Sequence, residues 1–286
     1  MERLPEYLRR SIIDTEKTKT VRHILKNKCL NTVCEGARCP NKSECYSRNT
    51  ATFLIMGNVC TRNCRYCNIK TAKPEPLDLD EPKHIAEAVK ELGLKYVVIT
   101  SVTRDDLPDG GAEHFSNCIK EIRNICDAKI EILTPDFRGR KESLDLIIEA
   151  KPDVFNHNIE TVESLFKIAR PQGSYTQSLD VLKYIKDNSG IITKSGLMVG
   201  LSEVKDEIES TLFDLKNAGV DIVTIGQYIQ PSKQHLPVDK YYTLEEFEEL
   251  RTLAQNIGFK NYQIAPLVRS SYKAAISWQS VKVNCK

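Results

Sequence analysis

After residue 50, short runs rich in β-branched residues alternate with longer segments that have helical spacing. The runs lie at residues 50–58, 95–102, 129–136, 153–160, 192–201 and 221–229, and a seventh short run occupies 262–268. A helical segment at 243–258 precedes the seventh run. Strands that alternate with crossover helices predict a parallel sheet built from right-handed βαβ units.

Six such units are fewer than the eight of a complete barrel, so the pattern predicts an α/β fold that is either an open partial barrel or a doubly wound sheet. Residues 50–259 would form this unit. Residues 1–49 are expected to be an irregular, cysteine-rich amino-terminal extension that wraps around it. Residues 260–286 would form a short carboxy-terminal segment.

Composition and charge exclude several classes of protein. The apolar fraction of 41% and the charged fraction of 28% are typical of a globular protein. With a net charge of +2 and scattered basic residues, we expect no nucleic-acid partner. No segment approaches the length of a membrane helix, and the amino-terminal residues show no secretory signal. We therefore expect a cytoplasmic protein that does not bind a membrane.

The cysteines are unevenly placed, since seven of the ten lie between Cys29 and Cys67. A secreted protein of this size would spread its cysteines over a disulfide framework. In a reducing compartment, clustered cysteines are instead typical of metal ligands.

Three of these cysteines follow the first predicted strand at C-x3-C-x2-C spacing: Cys60, Cys64 and Cys67. Parallel α/β folds bind small molecules at the carboxyl ends of their strands, so this position favours an active site over a metal site that only stabilises the fold. Three thiolates from one loop suit three corners of a [4Fe–4S] cube and leave the fourth iron free. The alternative is a zinc site that a distant residue completes.

The C-x3-C-x2-C loop, with the aromatic Tyr66 before its last cysteine, resembles that of the radical S-adenosylmethionine (SAM) superfamily. The resemblance implies a partial (β/α)6 barrel of the radical SAM type. It also implies that the free iron binds the amino and carboxylate groups of SAM. An electron from the cluster would then cleave the sulfonium to give a 5′-deoxyadenosyl radical, which attacks an unactivated C–H bond.

A second cysteine triplet, Cys34, Cys39 and Cys45, has C-x4-C-x5-C spacing. This triplet occurs in order with "TSVTRDDLPDGGAEHF", "DVFNHNIETV", "TKSGLMVGL", "IGQYIQPSKQHLPV" and "VRSSY". The ordered set resembles the lipoyl synthase family over most of the chain. By that resemblance the second triplet holds an auxiliary [4Fe–4S] cluster, with Ser271, or alternatively Ser270, as its fourth ligand.

The resemblance implies insertion of two sulfur atoms at carbons 6 and 8 of a protein-bound octanoyl-lysine, with the auxiliary cluster as sulfur donor. The expected partners are an octanoylated lipoyl carrier domain or protein and an electron donor such as ferredoxin or flavodoxin. A biotin-synthase-like enzyme would lack the second triplet and "RSSY". A two-cluster electron carrier would ligate every iron with protein thiolates.

The remaining candidates for SAM contacts carry weaker signals. Asn156, Asn158 and Glu160 alternate along one predicted strand, so they would share a face that points either into a polar barrel interior or towards helix ends. In the superfamily, the glycines that correspond to Gly110 and Gly111 let backbone carbonyls approach the amino group of SAM, although here they could simply start a helix.

Further interpretations concern two arginines, one histidine and the cysteines outside the triplets. Arg170 would pair with the SAM carboxylate or lie solvated at a helix end, and Arg269 would hold the serine loop. His157 is expected to line the pocket. Cys118 and Cys126, eight residues apart, would pack on one face of a helix, and we assign no role to Cys29 and Cys285.

Overall fold

The structure, a computed structural model, describes residues 4–11 and 13–284. Its strands are β1 (Asn31–Thr32), β2 (Thr52–Ile55), β3 (Val59–Cys60), β4 (Lys70–Thr71), β5 (Tyr96–Ser101), β6 (Lys129–Leu133), β7 (Val154–Asn156), β8 (Ile192–Val199), β9 (Ile222–Gln227) and β10 (Asn261–Ile264). Its α-helices are α1 (Glu16–Asn27), α2 (Val33–Gly36), α3 (Lys42–Ser47), α4 (Glu81–Glu91), α5 (Ala112–Ile125), α6 (Lys141–Ala150), α7 (Glu163–Ala169), α8 (Tyr175–Asn188), α9 (Lys205–Asn217), α10 (Leu244–Asn256) and α11 (Ala274–Asn284). Cys285 lies outside the described residues.

The chain divides into two compact units. The amino-terminal unit comprises Arg10–Arg62 and Asn68–Phe155. The carboxy-terminal unit comprises Met1–Arg9, Asn63–Cys67 and Asn156–Lys286. The boundaries predicted at residues 49 and 259 remain predictions.

In the amino-terminal unit, β2, β5 and β6 pair in parallel, and β1 adds to β2 in antiparallel orientation. The register sets Thr52 opposite Val98 and Val97 opposite Ile130. Separately, β3 and β4 form a two-stranded parallel pair with Cys60 opposite Thr71.

In the carboxy-terminal unit, β8, β9 and β10 pair in parallel, with Leu197 opposite Ile225 and Val223 opposite Tyr262. Strands and helices alternate along both units, so the predicted α/β class with parallel strands is confirmed.

The parallel strands form because their residues can be buried on both faces. All four residues of β2 and all six of β9 are buried. Continuous apolar or β-branched runs of this kind are typical of parallel strands covered on both sides.

The crossover helices bury one face each. In α4, Pro82, Ile85 and Val89 are buried at spacings of three and four residues, and proline at the helix start needs no backbone donor. Gly93 and Gly219, predicted to end helices, have φ of 65° and 80° and follow α4 and α9.

The expectation that the first fifty residues are irregular is wrong. Thr15 caps α1 through a hydrogen bond from the Thr18 amide, and the helix buries Val21, Ile24 and Leu25. Helices α2 and α3 follow. The helical spacing of these apolar residues was present in the sequence, but the cysteine content obscured it.

The strand predicted at 153–160 is also shorter than expected. β7 ends at Asn156, so Asn158 and Glu160 do not continue its alternation. The shared face inferred for the three polar residues is therefore wrong. Asn156 and His157 are fully buried, whereas Asn158 and Glu160 are half-buried.

Within the described residues, no helix combines the length and apolar character needed to cross a bilayer.

Candidate cluster and cofactor sites

Cys60 lies at the end of β3, in the amino-terminal unit. Its Sγ accepts hydrogen bonds from two backbone amides, that of Arg62 at 3.4 Å and that of Thr103 at 3.3 Å. Thr103 lies two residues beyond the end of β5. Amide donors of this kind stabilise a thiolate and are a recognised influence on iron–sulfur clusters.

Arg62, between the first two cysteines of the loop, is 4% exposed and lies in a buried ion-pair network. Its guanidinium makes two hydrogen bonds to Asp105, at 2.7 and 2.9 Å, and two to Asp136, both at 2.8 Å. Burial acts to lower the pKa of Arg62, but the two carboxylates outweigh it and raise the pKa. Sequence reasoning missed this network; its only signal was the charged stretch "TRDD" within a family motif.

Cys64 and Cys67 belong to the carboxy-terminal unit and form a tight turn, in which the Cys67 amide donates to the Cys64 carbonyl at 3.0 Å. Arg65 anchors this turn on both sides. Its amide donates to the carbonyl of Ala169, and its carbonyl accepts from the amide of Leu236. Two distant segments of this unit therefore fix the backbone that carries both cysteines.

His235 provides a further anchor for the cysteine turn. Its Nε2 lies 2.9 Å from the Cys67 carbonyl oxygen, which can only accept, so Nε2 carries the proton. Its Nδ1 then accepts from the Ser232 hydroxyl at 2.8 Å in the neutral imidazole. His235 lies in the motif "IGQYIQPSKQHLPV", and nothing in its spacing to other residues indicated this role.

Glu160 has a strained backbone, with φ of +72°. A bulky L-residue rarely adopts this left-handed conformation, and residues that do are concentrated at functional sites. The position is fixed by hydrogen bonds to β8: the Glu160 amide donates to the Gly196 carbonyl, and the Glu160 carbonyl accepts from the Met198 amide, both at 2.9 Å.

The side chains of Asn158, Tyr66 and Arg170 lie close enough to the Glu160 carboxylate to stabilise its charge. Burial raises the pKa of Glu160, and the positive charge of Arg170 opposes this effect. Burial likewise raises the pKa of Tyr66 well above its ordinary value, with Glu160 and Cys64 as additional negative neighbours. The aromatic residue of the cysteine loop and two predicted SAM contacts are therefore brought together.

Arg170 follows the last residue of α7 and is 7% exposed, so the alternative of a solvated arginine is excluded. Its Nη1 donates to the Asn158 carbonyl at 3.2 Å, and its guanidinium lies over the Phe166 ring, 5.3 Å from the centroid. These contacts hold the guanidinium beside Glu160.

Asn158 connects this group to the "RSSY" segment. Its Nδ2 donates to the Ser270 hydroxyl at 3.3 Å. Its Oδ1 is buried and has no hydrogen-bond partner among the described residues. A buried acceptor without a donor is costly, which indicates a site that a ligand donor would complete.

The segment that carries the serines is held close to the end of β9. A Cβ atom at Gly226 would lie 2.1 Å from the Val268 carbonyl oxygen, so only glycine permits this approach. The Gln227 amide donates to the Pro266 carbonyl at 3.1 Å. Arg269 donates to the adjacent Val268 carbonyl at 2.6 Å, consistent with its expected part in ordering the loop.

In the amino-terminal unit, the second cysteine triplet is carried by two short helices. Cys34 lies in α2 and Cys45 in α3, and the Cys39 amide between them donates to the Cys34 carbonyl at 3.1 Å. Burial, followed by the neighbouring Cys39, raises the pKa of Cys34 to about 12 and that of Cys45 to about 11. Both thiols adjoin Cys39, so the structure gathers the three side chains.

This triplet also contacts the segment that follows the first cysteine loop. Asn68 Nδ2 donates to the Gly36 carbonyl at 2.8 Å. A Cβ at Gly36 would approach Ile69 Cδ1 to 2.7 Å, so a larger residue would displace that side chain. Gly36 therefore allows the two segments to pack closely.

Gly110 and Gly111 form the turn that begins α5, with φ of 66° and 91°. Asp109 caps the helix by accepting from the amides of Gly111 and Glu113. A Cβ at Gly111 would lie 2.3 Å from Met56 Sδ. The helix-starting interpretation is confirmed, and the contact with a SAM amino group stays a prediction.

The cysteines outside the two triplets differ in burial. Cys118 is fully buried within α5, as predicted. Cys126 lies one residue past the end of that helix with an extended backbone and is half-buried, so the expected common helical face is wrong. Cys29 is exposed.

Across the described residues, no three His, Cys, Asp or Glu side chains converge as the ligands of one metal ion. The ligands of a [4Fe–4S] cube each bind a different iron, so the donor set required is a group of separated thiolates. The thiols of Cys34, Cys39 and Cys45 are gathered within the amino-terminal unit and fit one such cluster. The Cys60 sulfur with its two amide donors, and separately the Cys64–Cys67 turn, present thiols of the type that a second cluster requires.

Residues 54–215 match the family described as the Radical SAM superfamily. Lipoyl synthase from Caldicellulosiruptor bescii is 55% identical over 272 residues, which cover 94% of each chain. Lipoyl synthase from Caldanaerobacter subterraneus subsp. tengcongensis is 48% identical over 275 residues, which cover 96% of each chain.

Solved structures show the same fold at low sequence identity. Streptococcus suis SuiB bound to S-adenosylmethionine matches with a TM-score of 0.59 and 13% identity, covering 79% of this chain and 54% of that one. Methylornithine synthase matches with a TM-score of 0.55 and 15% identity, covering 89% of this chain and 84% of that one. The predicted α/β fold of the radical SAM type is confirmed.

Proposed function

Because the chain belongs to the lipoyl synthase family of the radical SAM superfamily, we propose that it converts a protein-bound octanoyl-lysine into lipoyl-lysine. The change adds two sulfur atoms, at carbons 6 and 8, and removes one hydrogen from each carbon. The observation that carries this proposal is the presence of both cysteine triplets and the "RSSY" serines in a chain 55% identical to a lipoyl synthase.

Cys60, Cys64 and Cys67 would hold the first [4Fe–4S] cluster, since one short loop supplies all three. When bound, this cluster would supply the electron that cleaves SAM, and the auxiliary cluster would supply sulfur. The protein itself holds the cysteine ligands in place. Two amides hold the Cys60 sulfur, and Arg65 and His235 hold the Cys64–Cys67 turn.

SAM would be bound by the polar group around Glu160. The buried Arg170 guanidinium suits the cofactor carboxylate, and the Glu160 carboxylate suits its hydroxyl or amino donors. The unpartnered Asn158 Oδ1 offers one more acceptor. Half-burial of this group excludes much of the bulk water, which strengthens each polar contact. Asn156, Gly110 and Gly111 stay candidate contacts.

Cys34, Cys39 and Cys45 would hold the auxiliary cluster, with Ser271 as the fourth ligand. The arrangement of the two serines supports the choice. Ser270 Oγ already accepts a hydrogen bond from Asn158, whereas the Ser271 hydroxyl makes no hydrogen bond among the described residues. A hydroxyl ligand is a poor match for a soft cluster, so it would be released more readily than a thiolate.

The substrate would be an octanoylated lipoyl carrier protein or domain, and a ferredoxin or flavodoxin would supply electrons. A reducing cytoplasm would keep six cluster-ligating thiols from forming disulfides.

The test is anaerobic incubation of the reconstituted protein with an octanoyl-lysyl peptide, reductant and SAM, followed by mass spectrometry. The proposal predicts a product that has gained two sulfurs, as a dithiol with no net change in hydrogen while reductant is present, and as a disulfide that is two hydrogens lighter after oxidation. An unchanged peptide, together with intact SAM cleavage, would instead favour another sulfur-inserting radical enzyme that acts on a free small molecule.

A further inference from the structure

The Cys60 sulfur receives its two amide hydrogen bonds from separate segments of the amino-terminal unit. One donor, the amide of Arg62, lies in the cysteine loop itself, and the other, the amide of Thr103, follows β5. Both bonds depend on how these segments are held against each other. A rigid double donor requires that something fix the spacing between them.

The Arg62 side chain fixes that spacing. The backbone amide of Arg62 is one of the two donors to Cys60. Its guanidinium donates two hydrogen bonds to Asp105, which lies two residues after Thr103, the residue that carries the other donor. The same guanidinium donates two further hydrogen bonds to Asp136, which follows β6. Arg62 and Asp136 are nearly fully buried, so these charge-assisted hydrogen bonds are shielded from bulk solvent.

Thr61 adds a second, uncharged connection between the two segments. Its amide and its hydroxyl both donate to the Thr103 carbonyl, at 3.1 and 2.9 Å. Its hydroxyl also accepts from the Asp105 amide at 3.1 Å. The Thr61 hydroxyl therefore connects the cysteine loop to the residues that directly follow the Thr103 amide donor.

The charges of the network balance. Arg138 donates to Asp105 through Nε at 3.1 Å, so two arginines face two aspartates. The network consequently adds no net charge near the cluster loop, and its influence on a bound cluster would come from the position of the amide donors. Such donors favour the more negative, reduced state of an iron–sulfur cluster and raise its reduction potential.

We propose that Arg62 is a positioning residue that holds two backbone donors on the Cys60 sulfur and thereby raises the reduction potential of the cluster bound there. The inference rests on the proposed function only in requiring a cluster at Cys60. It assigns a role to a residue outside the cysteine ligands and outside the polar group around Glu160.

Two variants test the proposal in the full-length, anaerobically reconstituted protein. Arg62→Lys keeps the charge, but a lysine cannot form two bidentate pairs. Thr61→Val keeps shape and charge while removing the bridging hydroxyl. Arg123→Lys is the matched control for the first, because Arg123 pairs with Asp153 away from the loop. Thr252→Val, on the exposed face of α10, is the control for the second.

The measurement is a potentiometric titration followed by electron paramagnetic resonance, in which the open-iron cluster is identified by the change in its signal when SAM is added. Arg62→Lys should make reduction about tenfold less favourable, which is a shift of about 59 mV to more negative potential for one electron. Thr61→Val should shift the potential in the same direction by less, and both controls should leave it unchanged.

An unchanged or more positive potential in Arg62→Lys with full iron content overturns the proposal. If Arg62→Lys does not retain the cluster, Thr61→Val decides by the same criterion. Absence of a SAM-responsive cluster from the unaltered protein would refute the proposed function itself. A cluster that is present but insensitive to these variants would refute only the role of Arg62.

Discussion

The left-handed backbone of Glu160 leads to a prediction about stability that differs from the usual behaviour of glycine. At most positions glycine is less stabilising than alanine, because it loses more conformational entropy on folding. At φ of +72° this order should reverse, since alanine meets the steric cost of the left-handed region and glycine does not. Glu160→Gly should therefore be more stable than Glu160→Ala.

The size of the difference follows from two opposing terms. The left-handed conformation costs an L-residue about 1–2 kcal/mol, and glycine carries an entropic cost of roughly 0.5–1 kcal/mol. The difference favours Glu160→Gly by about 1 kcal/mol. Both variants lose the same contacts with Tyr66, Asn158 and Arg170, so that loss cancels in the comparison.

The assay is urea unfolding of both variants under identical anaerobic conditions. Glu121, within helix α5, provides the matched control, because Glu121→Gly should be less stable than Glu121→Ala by about 1 kcal/mol. If Glu160→Ala proved as stable as Glu160→Gly, or more so, the strain assigned to this position would be refuted.

The same two variants separate strain from binding. Removal of the carboxylate should weaken SAM binding by about tenfold or more in both, since a hydrogen bond to a charged group contributes roughly 1.5–3 kcal/mol. Equilibrium dialysis would measure it. Equal loss in the two variants places the effect in the carboxylate, and undiminished affinity would remove Glu160 from the SAM site.

Three further predictions concern the serine segment and the buried thiol. Gly226→Ala should destabilise the protein by about 1–3 kcal/mol in urea unfolding, because the added methyl group meets the Val268 carbonyl; unchanged stability would contradict this. Ser271→Ala should impair product formation and alter the Mössbauer spectrum of the auxiliary cluster, whereas Ser270→Ala should leave that spectrum unchanged. The opposite result would make Ser270, rather than Ser271, the fourth ligand. Cys118→Ala should keep the full iron content in a colorimetric assay, since that thiol packs inside α5; iron loss would make it a ligand.

Much of the parallel sheet could be predicted because its strands are buried on both faces and read as continuous runs. β2 and β9 are examples, and the intervening helix α4 shows its apolar stripe at Pro82, Ile85 and Val89. These signals are local, so a single sequence contains them. The cysteine spacings are local too, and for the same reason they could be identified.

The geometry around Glu160 could not be predicted, because the sequence alternation continues where the strand does not. The residue follows β7 in a conformation fixed by two hydrogen bonds, one that its amide donates to the Gly196 carbonyl and one that its carbonyl accepts from the Met198 amide. The network at Arg62 was hidden for a similar reason, since Asp105 and Asp136 are distant in sequence. Long-range pairing of charges leaves no periodic signal.

The central claim is that the two cysteine triplets bind clusters with separate tasks. The most direct test measures 5′-deoxyadenosine formation, with reductant and SAM, in two triple alanine variants that should each retain about half of the iron. The account predicts that replacing Cys60, Cys64 and Cys67 abolishes formation, and that replacing Cys34, Cys39 and Cys45 leaves it measurable. Formation that survives the first replacement and disappears with the second would contradict the account.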